Sequence, residues 1–263
     1  MGLPWGSDKL KEALDVLEVS SGDLLFIHSN LGFLGLSEFH DVPLTLLRTL
    51  ASRVGEGGGI FLPAFTYSTK RDMTFNPNDF SSINSMGALS KAAALDGYAV
   101  HPDPIFRVLG SRGKATEILS GEFDLRSFGP GSLFSELVDL NVKVLNIGTG
   151  SGTTLLHELE FRIGVPYRQE IKIGTNLFDS RSRSSRPITW STYVRDLESP
   201  GSEADFTQFS KHVSNEDFLL TARLGYSKLT CYEISQVYQY LKMKIRLNPN
   251  FLTKDGAGFI ASE

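Results

Sequence analysis

Residues 142–160 read VKVLNIGTGSGTTLLHELE, and no other stretch constrains the fold as tightly. Val142, Val144, Leu145 and Ile147 are β-formers in a short apolar run, which predicts a buried strand. Gly148, Gly150 and Gly152 end the run and let the backbone come close to a ligand. Thr153 or Thr154 then caps a helix. His157 falls in its first turn, with Glu160 further along the same face. A strand, a glycine-rich turn and a helix form one unit of a layered α/β fold. Taken alone, the segment fits three readings. It fits the cofactor turn of a class I methyltransferase, an acyltransferase with His157 as base, or a connection whose histidine merely packs.

The same alternation runs along the chain. Apolar spacing predicts helices over 8–18, 43–54, 86–95 and 133–140, with strands over 24–28, 59–63 and 106–110. An amphipathic helix is predicted over 229–241, before the stop at Asn248-Pro249. Residues 174–205 are polar and rich in Ser, Arg and Asp, which predicts an excursion over the surface that could act as a substrate lid. The expected fold is a single α/β/α layered domain over 1–263 with a mixed, largely parallel central sheet. Ligands bind such sheets at the carboxyl ends of the strands. His28, Ser29, residues 63–67 and the 148–154 turn all follow predicted strands, so one cleft can collect them.

Composition narrows the function classes. The chain has 263 residues and a net charge of −4, which gives no electrostatic footprint for nucleic acid. Cys231 is the only cysteine, so neither a disulfide framework nor a thiolate metal site is available. The five histidines show no HExxH spacing, and no metal is expected. No apolar segment reads as a secretory signal or a membrane span, which makes a cytoplasmic protein the expectation.

Several further blocks come in a recognisable order. They are Gly22-Asp23 with Phe26-Ile27-His28-Ser29 and Leu31-Gly32, then Leu62-Pro63-Ala64-Phe65-Thr66-Tyr67-Ser68. Phe75-Asn76-Pro77, Ser85-Met86-Gly87-Ala88-Leu89-Ser90, His101-Pro102 with Gly110, and Phe128-Gly129-Pro130-Gly131-Ser132 follow. Thr154-Leu155-Leu156-His157-Glu158-Leu159-Glu160 and Val165-Pro166-Tyr167-Arg168 close the set. In this order they resemble the aminoglycoside 3-N-acetyltransferase family. The resemblance implies an N-acetyltransferase that uses acetyl-CoA, or another acyl-CoA, on the amine of an amino sugar. It implies His157 as the catalytic base, with Thr154 and Glu160 at flanking motif positions. Within these blocks His28, Ser29, Asn30, Leu31, Ser85, Met86 and Gly87 are candidate CoA contacts, joined outside them by Arg107, and Thr66, Tyr67 and Glu158 are candidate acceptor contacts. One departure stands out: Asp103-Pro104-Ile105-Phe106-Arg107 after His101-Pro102, together with 193–197, looks more like members associated with surface-polysaccharide amino sugars. An antibiotic, a nucleotide-linked and a lipid-linked amino sugar therefore all stay open as acceptors, and a homodimer stays open as well.

The chemistry sets its own demands. Acetyl transfer to an amine needs a base near neutral pKa, oxyanion donors, and both substrates within attack distance. His157 suits the base, because an unperturbed imidazole titrates near neutrality. The helix start disfavours its imidazolium, whereas Glu158 and Glu160 favour it, so the balance stays open. Amides of the glycine-rich turn or of the Ser29 turn are the candidate oxyanion donors and CoA-phosphate contacts. Arg107 near the cleft is a candidate phosphate contact, against the alternative of a surface arginine. Cys231 shares core spacing with Val237 and Leu241 in the last predicted helix, which favours packing over an acyl-cysteine and hence direct transfer. Trp190 and Tyr67 can face a sugar ring, although packing is the commoner fate of aromatics. The methyltransferase reading weakens, because its turn belongs after the first strand of a domain and Asn146 occupies its acidic position.

Overall fold

The computed structural model describes residues 4–66, 74–199, 201–254 and 256. In chain order its elements begin α1 (Ser7–Val16), β1 (Leu24–Ser29), α2 (Val42–Val54), β2 (Gly59–Pro63), β3 (Thr74–Phe75) and α3 (Ala88–Leu95). They continue with β4 (Ala99–His101), β5 (Val108–Gly110), α4 (Lys114–Leu119), α5 (Leu133–Asp139), β6 (Lys143–Ile147) and α6 (Leu155–Ile163). The chain ends with β7 (Arg168–Asp179), β8 (Ser184–Arg195), α7 (Phe206–His212), β9 (Leu220–Leu224), β10 (Ser227–Glu233) and α8 (Ile234–Leu247).

Seven strands form one sheet in the order β4-β5-β2-β1-β6-β10-β9. Its centre is parallel, β1 pairing with β2 and with β6, and every other ladder in it is antiparallel. The central strands read as apolar runs because both of their faces are covered. Alternation along β1 shows this: Phe26 enters one core with Phe61, Val144 and Tyr232, while Leu25 and Ile27 enter another with Ile60, Leu145 and Cys231. Helices α1, α2 and α3 cover the second face through Leu10, Leu14, Leu47, Leu50 and Leu89, and α5, α6 and α8 cover the first. The fold is thus α/β/α, with a mixed sheet that is parallel in its core. Leu155, Leu156 and Leu159 of α6 are fully buried, and each contributes roughly 1.5–3 kcal/mol by leaving water.

Two predicted elements differ from the structure. The excursion at 174–205 is largely a long antiparallel hairpin of β7 and β8, joined by β3 into a second sheet. One side of β8 packs inward through Ile188, Trp190 and Thr192, and Trp190 donates to Ser127 Oγ at 3.0 Å. Trp190 is therefore a packing residue. The last helix starts at Ile234, and residues 229–233 belong to β10. Cys231 accordingly lies in the sheet, paired with Leu145, and not on the helix.

Candidate active site

The site grows from the carboxyl ends of β1 and β6, adjacent parallel strands in which His28 stands opposite Asn146. After β6 the chain must double back over the end of β1. Gly148 makes that turn with φ +68°, where a Cβ atom would sit 2.5 Å from the Asn30 carbonyl oxygen. Only glycine fits so close to another backbone in that conformation. The turn is then tied down. The Thr154 amide donates to His28 Nε2 at 3.3 Å, and Thr153 Oγ1 lies 3.2 Å from the same nitrogen. The Ser151 amide donates to Ser210 Oγ at 2.8 Å. Thr153, rather than Thr154, offers its hydroxyl oxygen to the helix start, to the Leu155 amide at 3.4 Å. Two turn amides expected to face an oxyanion are therefore already engaged.

His28 is neutral. Burial pulls its pKa down to about 4. Because Nε2 accepts a backbone N–H, the ring proton resides on Nδ1.

His157 is set differently. Its Nδ1 meets Glu160 Oε2 at 2.7 Å, one helical turn away. The Glu160 carboxylate is fully buried and takes two more partners. Tyr167 donates its hydroxyl to Oε1 at 2.8 Å, and Arg168 Nε stands 2.6 Å from Oε2. The Arg168 Nε–H does not point along that line, so the contact is one of opposite charges. Burial pushes the Glu160 carboxyl up, and His157, Arg168 and Tyr167 together outweigh it and hold it below the usual range. Phe106, Phe128 and Phe206 surround the His157 ring with centroids 6.5, 5.8 and 5.3 Å away. That burial lowers the imidazole pKa, Arg168 lowers it further, and Glu160 opposes both without prevailing. A lowered pKa favours a neutral ring, and a neutral ring that donates Nδ1–H to Glu160 keeps its lone pair on Nε2.

A cleft of about 570 Å³ opens beside the two histidines. His28, Phe106, Thr149, Thr154, His157 and Phe206 are among its walls. A lone-pair nitrogen in an apolar box, oriented by a buried carboxylate, can accept a proton from a bound nucleophile.

The predicted residues divide into groups. His157, Thr154 and His28 line the cleft, with Glu160 directly behind His157. Ser29 and Gly87 are neighbours, since a Cβ on Gly87 would lie 3.4 Å from the Ser29 carbonyl oxygen. Asn30 donates its amide to Ile147, and Leu31 begins a short 3-10 turn. Met86 packs against both cores, and exposed Ser85 donates its hydroxyl to Ser82. Thr66 donates its hydroxyl to the Pro104 carbonyl. Tyr67 lies outside the described residues.

Two candidates are corrected. Arg107 is fully buried, and its guanidinium donates to the carbonyls of Ala64, Pro77 and Asp79 at 3.0, 2.9 and 2.6 Å. It staples loops together and presents no surface to a phosphate. Glu158 is also fully buried, accepting from the Gly129 amide at 2.6 Å and from Arg162 Nε at 2.8 Å. Its carboxylate is spent on packing α6 against the Phe128-Gly129 loop, and it is not among the residues that line the cleft.

Sequence reasoning missed the far wall. Phe206, Thr207 and Ser210 of α7 line the cleft, placed by Asp205, which caps that helix through the Thr207 and Gln208 amides. The run Asp205-Phe206-Thr207-Gln208 was the available signal. Tyr167 and Arg168 stood in a matched block without a role. Among the described residues no group of three or more His, Cys, Asp or Glu could hold a metal ion, and no helix is long and apolar enough to cross a membrane.

The family model for aminoglycoside 3-N-acetyltransferase matches residues 26–245, well over half of the chain. The aminoglycoside N(3)-acetyltransferase IV of Salmonella sp is 28% identical over 171 residues, covering 64% of this chain and 63% of that relative. The match thus spans a little under two thirds of that relative's length. Among solved structures, sisomicin-bound AAC-VIa superposes with a TM-score of 0.76 at 17% identity, over 92% of this chain and 99% of its own. The binary complex of AAC-IIIb with CoASH gives 0.75 at 18% identity, over 92% and 97%. At such identities the structures speak for the fold, and the family model speaks for descent: this chain belongs to the aminoglycoside 3-N-acetyltransferase family.

Proposed function

We propose that this chain is an acetyl-CoA-dependent N-acetyltransferase that acylates an amine of an amino sugar, with His157 as general base. The observation that carries the reading is the His157–Glu160 pair at the cleft, with Nδ1 held and Nε2 left for a substrate proton. The amine nitrogen attacks the thioester carbonyl carbon, and His157 Nε2 takes the proton the nitrogen sheds. The tetrahedral intermediate collapses, the carbon–sulfur bond breaks, and the imidazolium returns the proton to the departing CoA thiolate. Family membership and a structural neighbour holding CoASH support acetyl-CoA as donor. An aminoglycoside is the acceptor that the family and the sisomicin-bound neighbour favour.

An acyl-cysteine route has no support. Cys231 is buried in β10, and burial pushes its thiol up to about 12.

The test is release of CoA thiol from acetyl-CoA with sisomicin and with a nucleotide-linked amino sugar as alternative acceptors. Thiol release is expected only with an acceptor present, and more than 100-fold slower in His157→Ala, given the typical contribution of about 10²–10⁴-fold from a general base. A burst of thiol without acceptor, or equal rates in wild type and variant, would overturn the reading. Preference for the nucleotide-linked sugar would move the acceptor and leave the mechanism standing.

A further inference from the structure

Behind His157 lies a small set of charges that the proposed reaction does not by itself require. Glu160 is fully buried, and an ionised carboxylate in such a place needs a positive partner. Two groups on its Oε2 can supply that charge: His157, by becoming an imidazolium, or Arg168, which is always a cation. If His157 supplies it, the base is already protonated and cannot act. If Arg168 supplies it, His157 stays neutral and keeps its lone pair.

Other groups facing this spot bring no charge. Tyr167 from the turn before β7 gives a hydrogen bond, and burial pushes its hydroxyl pKa far up, so it remains a neutral donor. Burial pushes Tyr193 of β8 up to about 12. His28 of β1 is neutral, and Phe106, Phe128 and Phe206 close the ring's other sides. On α6 itself, Glu158 and Arg162 pair with each other. Arg195 of β8, opposite Arg168 in the ladder, is exposed. Among the described residues, Arg168 is therefore the cation that meets Glu160. It starts β7, six residues before the stretch that sequence alone reads as a surface excursion, so the hairpin is what carries it there.

We propose that Arg168 is a positioning residue for the reaction: it neutralises the buried Glu160 carboxylate so that His157 rests as the free base. This rests on His157 being the base, and it adds the requirement for a second charge. The lowered pKa of His157, with burial first and Arg168 second among its causes, agrees. Without Arg168, that downward pull is lost while Glu160's upward pull remains, so His157 binds its proton at higher pH.

The pH profile of kcat/KM for Arg168→Gln, Arg168→Lys and His157→Ala tests this. In Arg168→Gln the acid limb is expected to move to higher pH. The loss is greatest near about pH 6 and shrinks toward about pH 8, so the ratio of the two rates changes by roughly 10-fold. Arg168→Lys keeps the charge and is expected to hold the wild-type limb. A purely structural arginine would lower the rate by one factor at every pH and leave the limb in place, which would overturn the inference. Histidine-selective NMR titration of the wild-type protein, with the His157 signal identified by its loss in His157→Ala, stands independently of how well the variants fold. An imidazole titrating below the usual histidine range is expected, and one titrating above that range would overturn the proposal. If His157→Ala keeps full thiol release, the functional reading itself falls, whatever Arg168 does.

Discussion

His28, at the end of β1, and His157, in the first turn of α6, line one cleft, and burial lowers the pKa of both. Their partners separate them. His28 gives Nε2 to the Thr154 amide, so its acceptor nitrogen is spent on holding the turn in place. His157 gives Nδ1 to a buried carboxylate, and Nε2 remains. Burial and a lowered pKa therefore do not identify a base. The proposal of His157 as base rests instead on which nitrogen is already committed, and to what: a backbone amide makes a structural anchor, a carboxylate makes an oriented acceptor.

Replacing each histidine by glutamine puts the contrast under the largest strain. A glutamine at 28 can still accept the Thr154 N–H through its amide oxygen, which reaches about as far as Nε2. His28→Gln is expected to lose less than about 10-fold in kcat/KM, while His157→Gln, having no basic nitrogen, loses about 10²–10⁴-fold. Steady-state rates for both, beside melting temperatures, decide it. Equal losses in two equally stable variants would break the comparison.

Acid sharpens it next. A histidine whose folded pKa lies below its unfolded value binds fewer protons when folded, so its stabilising effect is present above the unfolded value and lost as pH falls. With His28 near 4 against an ordinary 6.5, the loss between about pH 7 and about pH 5 amounts to roughly 2 kcal/mol, somewhat less because the ring borders the cleft and its water. Buried His101, also held near 4, adds a loss of the same sign. Urea unfolding at the two pH values is expected to show a smaller drop for His28→Gln than for wild type. An unchanged drop would mean that His28 is protonated without penalty and does not anchor the turn as described.

How much of this was legible in sequence depends on how locally each contact is made. The strands at 24–29, 59–63 and 143–147 show because burial on both faces demands mostly apolar runs, which the site residue His28 and buried Asn146 interrupt only near the carboxyl ends of two of them. The hairpin of β7 and β8 hides because much of it faces solvent and reads as serine, arginine and aspartate. At Glu233 a strand passes into a helix without a loop, so the apolar residues of β10 and α8 read as one period and put Cys231 on the wrong element. At the site, His157 and Glu160 are legible as a pair three residues apart on one helix. Arg168 is not, because its meaning depends on where the hairpin docks, and Phe206 arrives from a helix far along the chain. Arg107 and Glu158 mislead for one shared reason. Charged residues are expected outside, and here both are buried against partners that sequence does not reveal.

The mildest change touches the hydroxyl between the two histidines' elements. Thr153 Oγ1 accepts from the Leu155 amide at 3.4 Å and lies 3.2 Å from His28 Nε2, so it belongs both to the start of α6 and to the His28 anchor. Thr153→Val keeps the side chain's shape and removes the oxygen. The helix-start contact is long, so its loss belongs at the weak end of capping effects, about 0.5–1 kcal/mol. The Thr154 amide still holds His28, so the turn keeps its course. His157 sits one turn further on, oriented by Glu160 from its own helix, and is expected to keep its rate within about threefold. Melting temperature and kcat/KM measured together check this. A rate loss approaching that of His157→Gln, with stability intact, would mean that the hydroxyl acts on the reacting atoms and that the division between anchor and base runs through Thr153 instead of between the two histidines.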